Sequence, residues 1–388
     1  MKSPFNSFFM GGFECADQIN RSGERVNLMT ETKHDIWVKE DYQLLNELGV
    51  KVVREGICWS RAETAPNVFD FSYLVPFYKA ANELGFQIIW DLCHFGYPDG
   101  LIPTHPQFTS RFVALCEAFY LFHSQHSKEP LMVVPINEIS FLSWHSGDVR
   151  GTVPFAVNSG DDIKYHLGQA AIKGAQKLKE VSPDCLIFAV EPLIKIHAAD
   201  DTISCEELAL LNHNQFKSMD ILLGKAFPEL GGNNNLFDYL GFNYYYNNQW
   251  DHQNTPIPWP EKDRPLTPLS HLLQMAYQRY FKPMVLTETG HFGEGRDRWI
   301  KEITVQCIEA LKAEVDLQGI CIYPVIDRPD WDDLSIYSKS GIWDFNEEKE
   351  RIPDQPYIDS FKECFSIIER YSESVRTSQN VSEVQYDK

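Results

Sequence analysis

The chain is short of positive charge. Lysine and arginine number 35 against 55 aspartates and glutamates, a formal net charge of −20 over 388 residues. Nucleic acids and anionic bilayer surfaces both need a basic face, so neither is an expected partner. Long hydrophobic runs are missing: nothing approaches the roughly 18 consecutive apolar residues of a membrane-spanning helix. Residues 1–7 carry no apolar leader segment, and the reading is of a cytoplasmic protein. Cysteine is present but unpatterned. The nine cysteines include no Cys-x-x-Cys and no metal-type spacing, which reads as free, mostly buried thiols in a reducing compartment. A phosphate-cradling loop is absent too. Met10-Gly11-Gly12-Phe13 has neither the spacing of a dinucleotide fingerprint nor a helix directly behind it. No close histidine pair stands at a strand end, so no metal is expected, and no cofactor.

What the chain does have is apolar runs that end in acids. Pro283 leads into Met284-Val285-Leu286-Thr287, which delivers Glu288 and stops at Gly290. Leu131-Met132-Val133-Val134-Pro135-Ile136 delivers Asn137-Glu138 in the same way. Such runs read as buried parallel strands. Further runs of this kind lie at 7–14, 51–54, 86–92, 185–190, 237–242 and 319–325. Helical patterns alternate with them, at 35–48, 71–84, 106–126, 162–181, 204–227, 269–281, 296–315 and 355–371. In the third, Phe108, Phe112, Leu115, Phe119 and Phe122 recur at steps of four and three and form one buried stripe. The segment 140–158, rich in Trp, His and Gly, reads as a loop. Strands and helices in strict alternation predict an α/β fold closed as a single (β/α)8 TIM barrel over residues 1–371. The polar segment 372–388 lacks periodicity and is expected to be disordered.

Catalytic groups of such barrels come from the C-terminal ends of the strands. Those ends carry Glu14 and Gln18, Arg54, Asp91 and His94, Asn137 and Glu138, Asn243 and Tyr245, Glu288, and finally Tyr323, Asp327, Asp330 and Trp331. Glu191 is set aside as a surface acid. Taken singly, each residue has a plainer use: a strand-end glutamate as a salt-bridge or cap partner, a histidine or tryptophan as core. Gathered at one rim, two carboxylates suit glycoside hydrolysis, where one must arrive protonated and the other ionised.

The motifs resemble those of the family 1 glycoside hydrolases, the β-glucosidase-type barrels with catalytic glutamates on strands 4 and 7. The residues carrying the resemblance are Ala16-Asp17-Gln18-Ile19-Asn20, Gly49-Val50 through Arg54 to Trp59-Ser60-Arg61, Cys93-His94-Phe95-Gly96-Tyr97-Pro98, Asn137-Glu138-Ile139, Leu240-Gly241-Phe242-Asn243-Tyr244-Tyr245, Thr287-Glu288-Thr289-Gly290, and Tyr323 through Asp327 to Asp330-Trp331. They occur in the family's order along nearly the whole chain. The resemblance implies that Glu138 is the acid/base and Glu288 the nucleophile of a retaining β-glycosidase acting on a terminal β-glucoside or β-galactoside. It implies that Arg54 steadies Glu288 as a carboxylate and that Tyr245 hydrogen-bonds it. It assigns Gln18, His94, Asn137 and Asp330 to the sugar hydroxyls and Trp331 to a stacking wall. A transglycosylase using the same covalent intermediate, and a sugar-binding barrel without turnover, are the alternatives. The chain departs from the family pattern where Asp330 replaces a glutamate, Tyr323 a tryptophan and Ile139 a proline, as in a divergent branch.

Overall fold

The computed structural model describes residues 3–260, 264 and 266–386, those from 374 onward as backbone only. Eight parallel strands close into a barrel: β1 (Phe9–Gly12), β2 (Val52–Gly56), β3 (Gln87–Asp91), β4 (Met132–Val134), β5 (Leu186–Pro192), β6 (Tyr239–Asn243), β7 (Met284–Thr289) and β8 (Leu317–Ile322). Each pairs with its neighbours in sequence, and β1 pairs with β8 to close the ring. The crossovers are helical: α1 (His34–Glu47), α2 (Val75–Leu84), α3 (Phe108–His126), α4 (Ile139–Gly147), α5 (Gly160–Val181), α6 (Cys205–Asn214), α7 (Lys217–Leu222), α8 (Leu269–Tyr280) and α9 (Arg296–Lys312). A last helix, α10 (Gln355–Tyr386), returns to the first strand, where Phe361 packs on Phe9 with ring centroids 5.0 Å apart.

The strands read as near-continuous apolar runs because both faces are covered. Their two-residue alternation sorts the side chains into two cores. Val52, Ile89, Met132, Val134, Phe188, Val190 and Val285 form the inner cluster that fills the barrel. Val53, Ile88, Val133, Ile187 and Leu286 belong to the outer cluster under the helices. The predicted stripe of α3 is there: Phe108, Phe112, Leu115 and Phe119 are fully buried. α2 ends where expected, on Gly85 at φ 72°, a left-handed cap that glycine adopts without strain.

Three segments differ from the sequence reading. The expected loop at 140–158 begins with a helix, α4, because Ile139, Leu142 and Ser143 fall on a buried face. The long helix expected over 204–227 divides into α6 and α7. α10 runs on through 372–386, which was expected to lack structure. After Pro356 it meets no proline or glycine that would stop it; residues 387–388 lie outside the described residues. The cysteines are free thiols, all buried but Cys205. No helix among the described residues is long and apolar enough to cross a membrane.

Candidate active site

The alternation that builds the barrel also aims its polar groups. Arg54 is two residues beyond the inward Val52, and Asp91 two beyond the inward Ile89, so both point into the barrel mouth. Glu288 is three residues beyond inward Val285, and strict alternation would turn it outward. The pairing of β7 with β6 slips between Leu286 and Glu288, and this irregularity turns the carboxylate inward. Glu138 is re-aimed by another device. It precedes α4 with φ 45° and ψ 61°, a left-handed backbone uncommon for a residue with a side chain.

Glu288 is 4% exposed. Its Oε1 accepts from Arg54 Nη1 at 2.6 Å, and its Oε2 from the Tyr245 hydroxyl at 2.6 Å. Arg54 is fully committed. Its Nε donates to Asp91 Oδ1 at 3.1 Å, Nη2 to Asn137 Oδ1 at 2.7 Å, and Nη1 also to the Thr287 carbonyl at 3.1 Å. A guanidinium bridging two carboxylates and an amide fixes three strand ends relative to one another.

Among the described residues the Glu138 carboxyl has one such partner: Asn243 Nδ2 donates to its Oε1 at 2.8 Å. Burial pushes its carboxyl up to about 8, helped by the charges of Glu288 and Glu191. Asn243 is locked in turn by Thr287, whose hydroxyl donates to its Oδ1 at 2.7 Å. His94 Nδ1 lies 2.7 Å from Asp91 Oδ2. Burial works against a charge on this ring, but the Asp91 hydrogen bond and charge outweigh it, and the His94 pKa is raised. Asn137 Nδ2 lies 3.4 Å from His94 Nε2.

Of these groups, Glu138, Glu288, Tyr245 and His94 line a cavity of about 780 Å³. Glu14, His94, Tyr323, Arg328 and Trp331 stand on its wall with Glu138, Tyr245 and Glu288. Elsewhere it is bordered by Trp144, Ile194, Trp250 and Pro256. The structure therefore brings together Glu138, Glu288, His94, Tyr245 and Trp331, with Arg54 and Asn137 directly behind.

It does not bring in Gln18 or Asp330. Gln18 is buried, and among the described residues neither its amide oxygen nor its amide nitrogen has a hydrogen-bond partner; it borders a separate void of about 60 Å³. Phe95 borders both spaces, and Gln18 borders only the smaller one. Asp330 is exposed and turned back on its own loop, where its Oδ1 accepts from the backbone N–H groups of Asp332 and Asp333. Its side chain is one methylene shorter than glutamate, and that suits such a turn. Nor is Glu191 a surface acid: it is 1% exposed. Its carboxylate accepts from the Ser140 hydroxyl and, at 3.1 Å, from the Ser140 N–H in the first turn of α4. Burial pushes its carboxyl up to about 7. Glu14, Arg328 and Glu191 were all legible as strand-end or near-strand-end residues, but no motif singled them out.

Cys15, Asp91 and His94 place possible metal-ligand atoms within 4.8 Å of one another. Arg54 already engages both Asp91 oxygens, at 3.1 and 2.9 Å, so a metal cation there would face a guanidinium at contact distance.

A β-galactosidase family model, glycoside hydrolase 42, matches residues 29–111, the stretch holding Arg54, Asp91 and His94. An aryl-phospho-β-D-glucosidase of Bacillus subtilis is 24% identical over 349 residues, 73% of this chain and 73% of that protein. A 6-phospho-β-glucosidase of Escherichia coli is 32% identical over 95 residues, 21% of this chain and 20% of that one. Among solved structures, the β-glucosidase from Thermotoga maritima in complex with glucoimidazole superposes with a TM-score of 0.73 at 16% identity, covering 93% of this chain and 98% of that one. The family 1 β-glucosidase of the same organism gives 0.72 at 15% identity, covering 96% and 99%. In fold and in sequence the chain is thus a divergent relative of the β-glucosidase-type glycoside hydrolases.

Proposed function

We propose that the protein is a retaining β-glycosidase that removes a terminal β-glucosyl or β-galactosyl residue from a small glycoside. The observation that carries this reading is the unequal treatment of two buried carboxyls in one cavity. Glu288 accepts from a guanidinium and a phenol. Glu138, with a single amide donor, is pushed up to about 8 and holds its proton at neutral pH.

In the proposed reaction the sugar lies on the Glu288 side, and Glu138 faces the glycosidic oxygen. Glu288 attacks the anomeric carbon as Glu138 gives its proton to the leaving oxygen. The C–O bond to the aglycone breaks and a glycosyl ester forms on Glu288. Loss of that proton leaves Glu138 ionised and able to take one from water, whose oxygen then displaces Glu288 and restores both groups. The family resemblance assigns Asn137, which Arg54 anchors, to the sugar's 2-hydroxyl. Each step uses only side chains and water. An alcohol taking the water's place would give transglycosylation, which product analysis with added acceptor separates from hydrolysis.

The test is stereochemical. Proton NMR of an aryl β-glycoside digest is expected to show the β-anomer first, before mutarotation. First formation of the α-anomer would mean inversion and reject the mechanism. A broad panel of glycosides that bind without turnover would instead leave a sugar-binding barrel.

A further inference from the structure

We propose that Glu14 and Arg328 form the far wall of the glycone subsite and select an uncharged hexose. This rests on the glycosidase reading of the cavity. Gln18 and Asp330, the residues that the family resemblance would place on the sugar, face elsewhere, so other groups must hold those hydroxyls.

Glu14 and Arg328 occupy that position. Glu14 is 5% exposed and lies at the end of β1. Its Oε1 accepts from the N–H groups of Cys15 and Ala16, both at 3.1 Å, and from the Tyr323 hydroxyl at 3.3 Å. Its Oε2 forms an ion pair with Arg328, 3.1 Å from Nε. The same Oε1 stands 3.9 Å from His94 Nε2, which ties the pair to the side of the cavity where His94 and Asn137 stand. Arg328 Nη1 donates to the Pro329 carbonyl at 3.0 Å; among the described residues Nη2 has no hydrogen-bond partner. The guanidinium carbon lies 5.1 Å from the Trp331 ring centroid, and the Trp331 Nε1 is itself buried without an acceptor. The wall therefore offers a carboxylate acceptor beside an unused Arg328 N–H donor. Adjacent sugar hydroxyls, each both donor and acceptor, complement such a pair.

The same wall disfavours an anionic glycone, although two relatives are named for phosphorylated substrates. Arg328 is already matched by Glu14, and Arg54 by Asp91 and Glu288. The loop beyond Arg328 adds three exposed acids, Asp330, Asp332 and Asp333. A phosphate placed beside this pair would meet the Glu14 carboxylate at contact distance, next to a guanidinium that Glu14 already pairs.

The experiment compares wild type, Glu14→Gln and Arg328→Lys on 4-nitrophenyl β-glucoside, β-galactoside and 6-phospho-β-glucoside, with thermal melts as a fold control. Wild-type kcat/KM on the better neutral substrate is expected to exceed that on the phosphorylated one by roughly 100-fold or more. Each folded variant is expected to lose roughly 10- to 100-fold on the neutral substrate, because a buried polar partner is left unmatched. Preference of the wild type for the phosphorylated glycoside would overturn the proposal, and that ratio needs no variant to fold. Folded variants with wild-type kcat/KM on neutral glycosides would also overturn it. Wild type inert on all three and on a wider panel would instead reject the glycosidase reading beneath it.

Discussion

The ends of β7 and β4 start from the same design and finish differently. Both are apolar strands that deliver a glutamate into one cavity. At the end of β7, Glu288 meets Arg54 and Tyr245 at 2.6 Å each. At the end of β4, Glu138 meets one amide at 2.8 Å and has the charges of Glu288 and Glu191 nearby. Strand type and residue type are alike, so the neighbours alone divide the roles. In the proposed mechanism the cation and hydroxyl serve the nucleophile, and burial near other acids keeps a proton on the second carboxyl.

The comparison breaks most visibly by deleting either acid. Glu288→Ala should lower kcat on any aryl glycoside by roughly 10⁵-fold or more, measured against trace wild-type contamination. Glu138→Ala should cost roughly 10²- to 10⁴-fold on substrates with poor leaving groups and far less with 2,4-dinitrophenol, which leaves without a proton. Azide should restore its activity with an activated substrate. Equal loss in both variants on both leaving groups would remove the distinction between the two ends.

Changing pH sharpens the comparison. Because Glu138 must arrive protonated, kcat/KM should fall as pH rises through about 8. Stability should follow the same group. Its folded pKa, about 8, lies above the ordinary carboxyl value of 4.5. Its contribution is therefore fully present below about 4.5 and lost progressively as pH rises through about 8. Glu138→Gln should melt like wild type at pH 4 and higher than wild type at pH 9. A smaller effect belongs to Glu191, whose charge raises Glu138 from behind. Glu191→Gln should move the alkaline limb of kcat/KM to lower pH, read from the full profile. The smallest effect belongs to Asp330→Ala, expected to leave kcat/KM within about twofold of wild type, since Asp330 is exposed and its carboxylate serves its own turn rather than the cavity.

The barrel was legible because both periodicities are clean. Runs such as 284–287 carry the strand signal, and the Phe108–Phe119 stripe carries the helix signal. Less legible were segments where packing overrides polarity, such as α4, whose Trp, His and Ser residues resemble a loop. The site divides in the same way. Arg54 and Asp91 follow from alternation alone. Glu288 and Glu138 reach the cavity by breaking regularity, one through a slip in strand pairing and one through a left-handed backbone, and sequence spacing reveals neither. Gln18 and Asp330 show the reverse. Their motif positions persist, but one borders a separate small void, and at the other a shorter side chain turns to its own loop. Glu191 was misread because a strand-end acid looks the same in sequence whether it meets water or the first turn of a buried helix.

The most direct test of the central claim is mass spectrometry of the protein after incubation with an activated 2-deoxy-2-fluoro-β-glycoside, which slows hydrolysis of a glycosyl ester. The expected result is one fluoroglycosyl adduct per chain, mapped by peptic digestion to the peptide containing Glu288 and absent from Glu288→Ala. An adduct on Glu138, or none while the wild type still hydrolyses the parent glycoside, would contradict the assignment of Glu288 as the nucleophile.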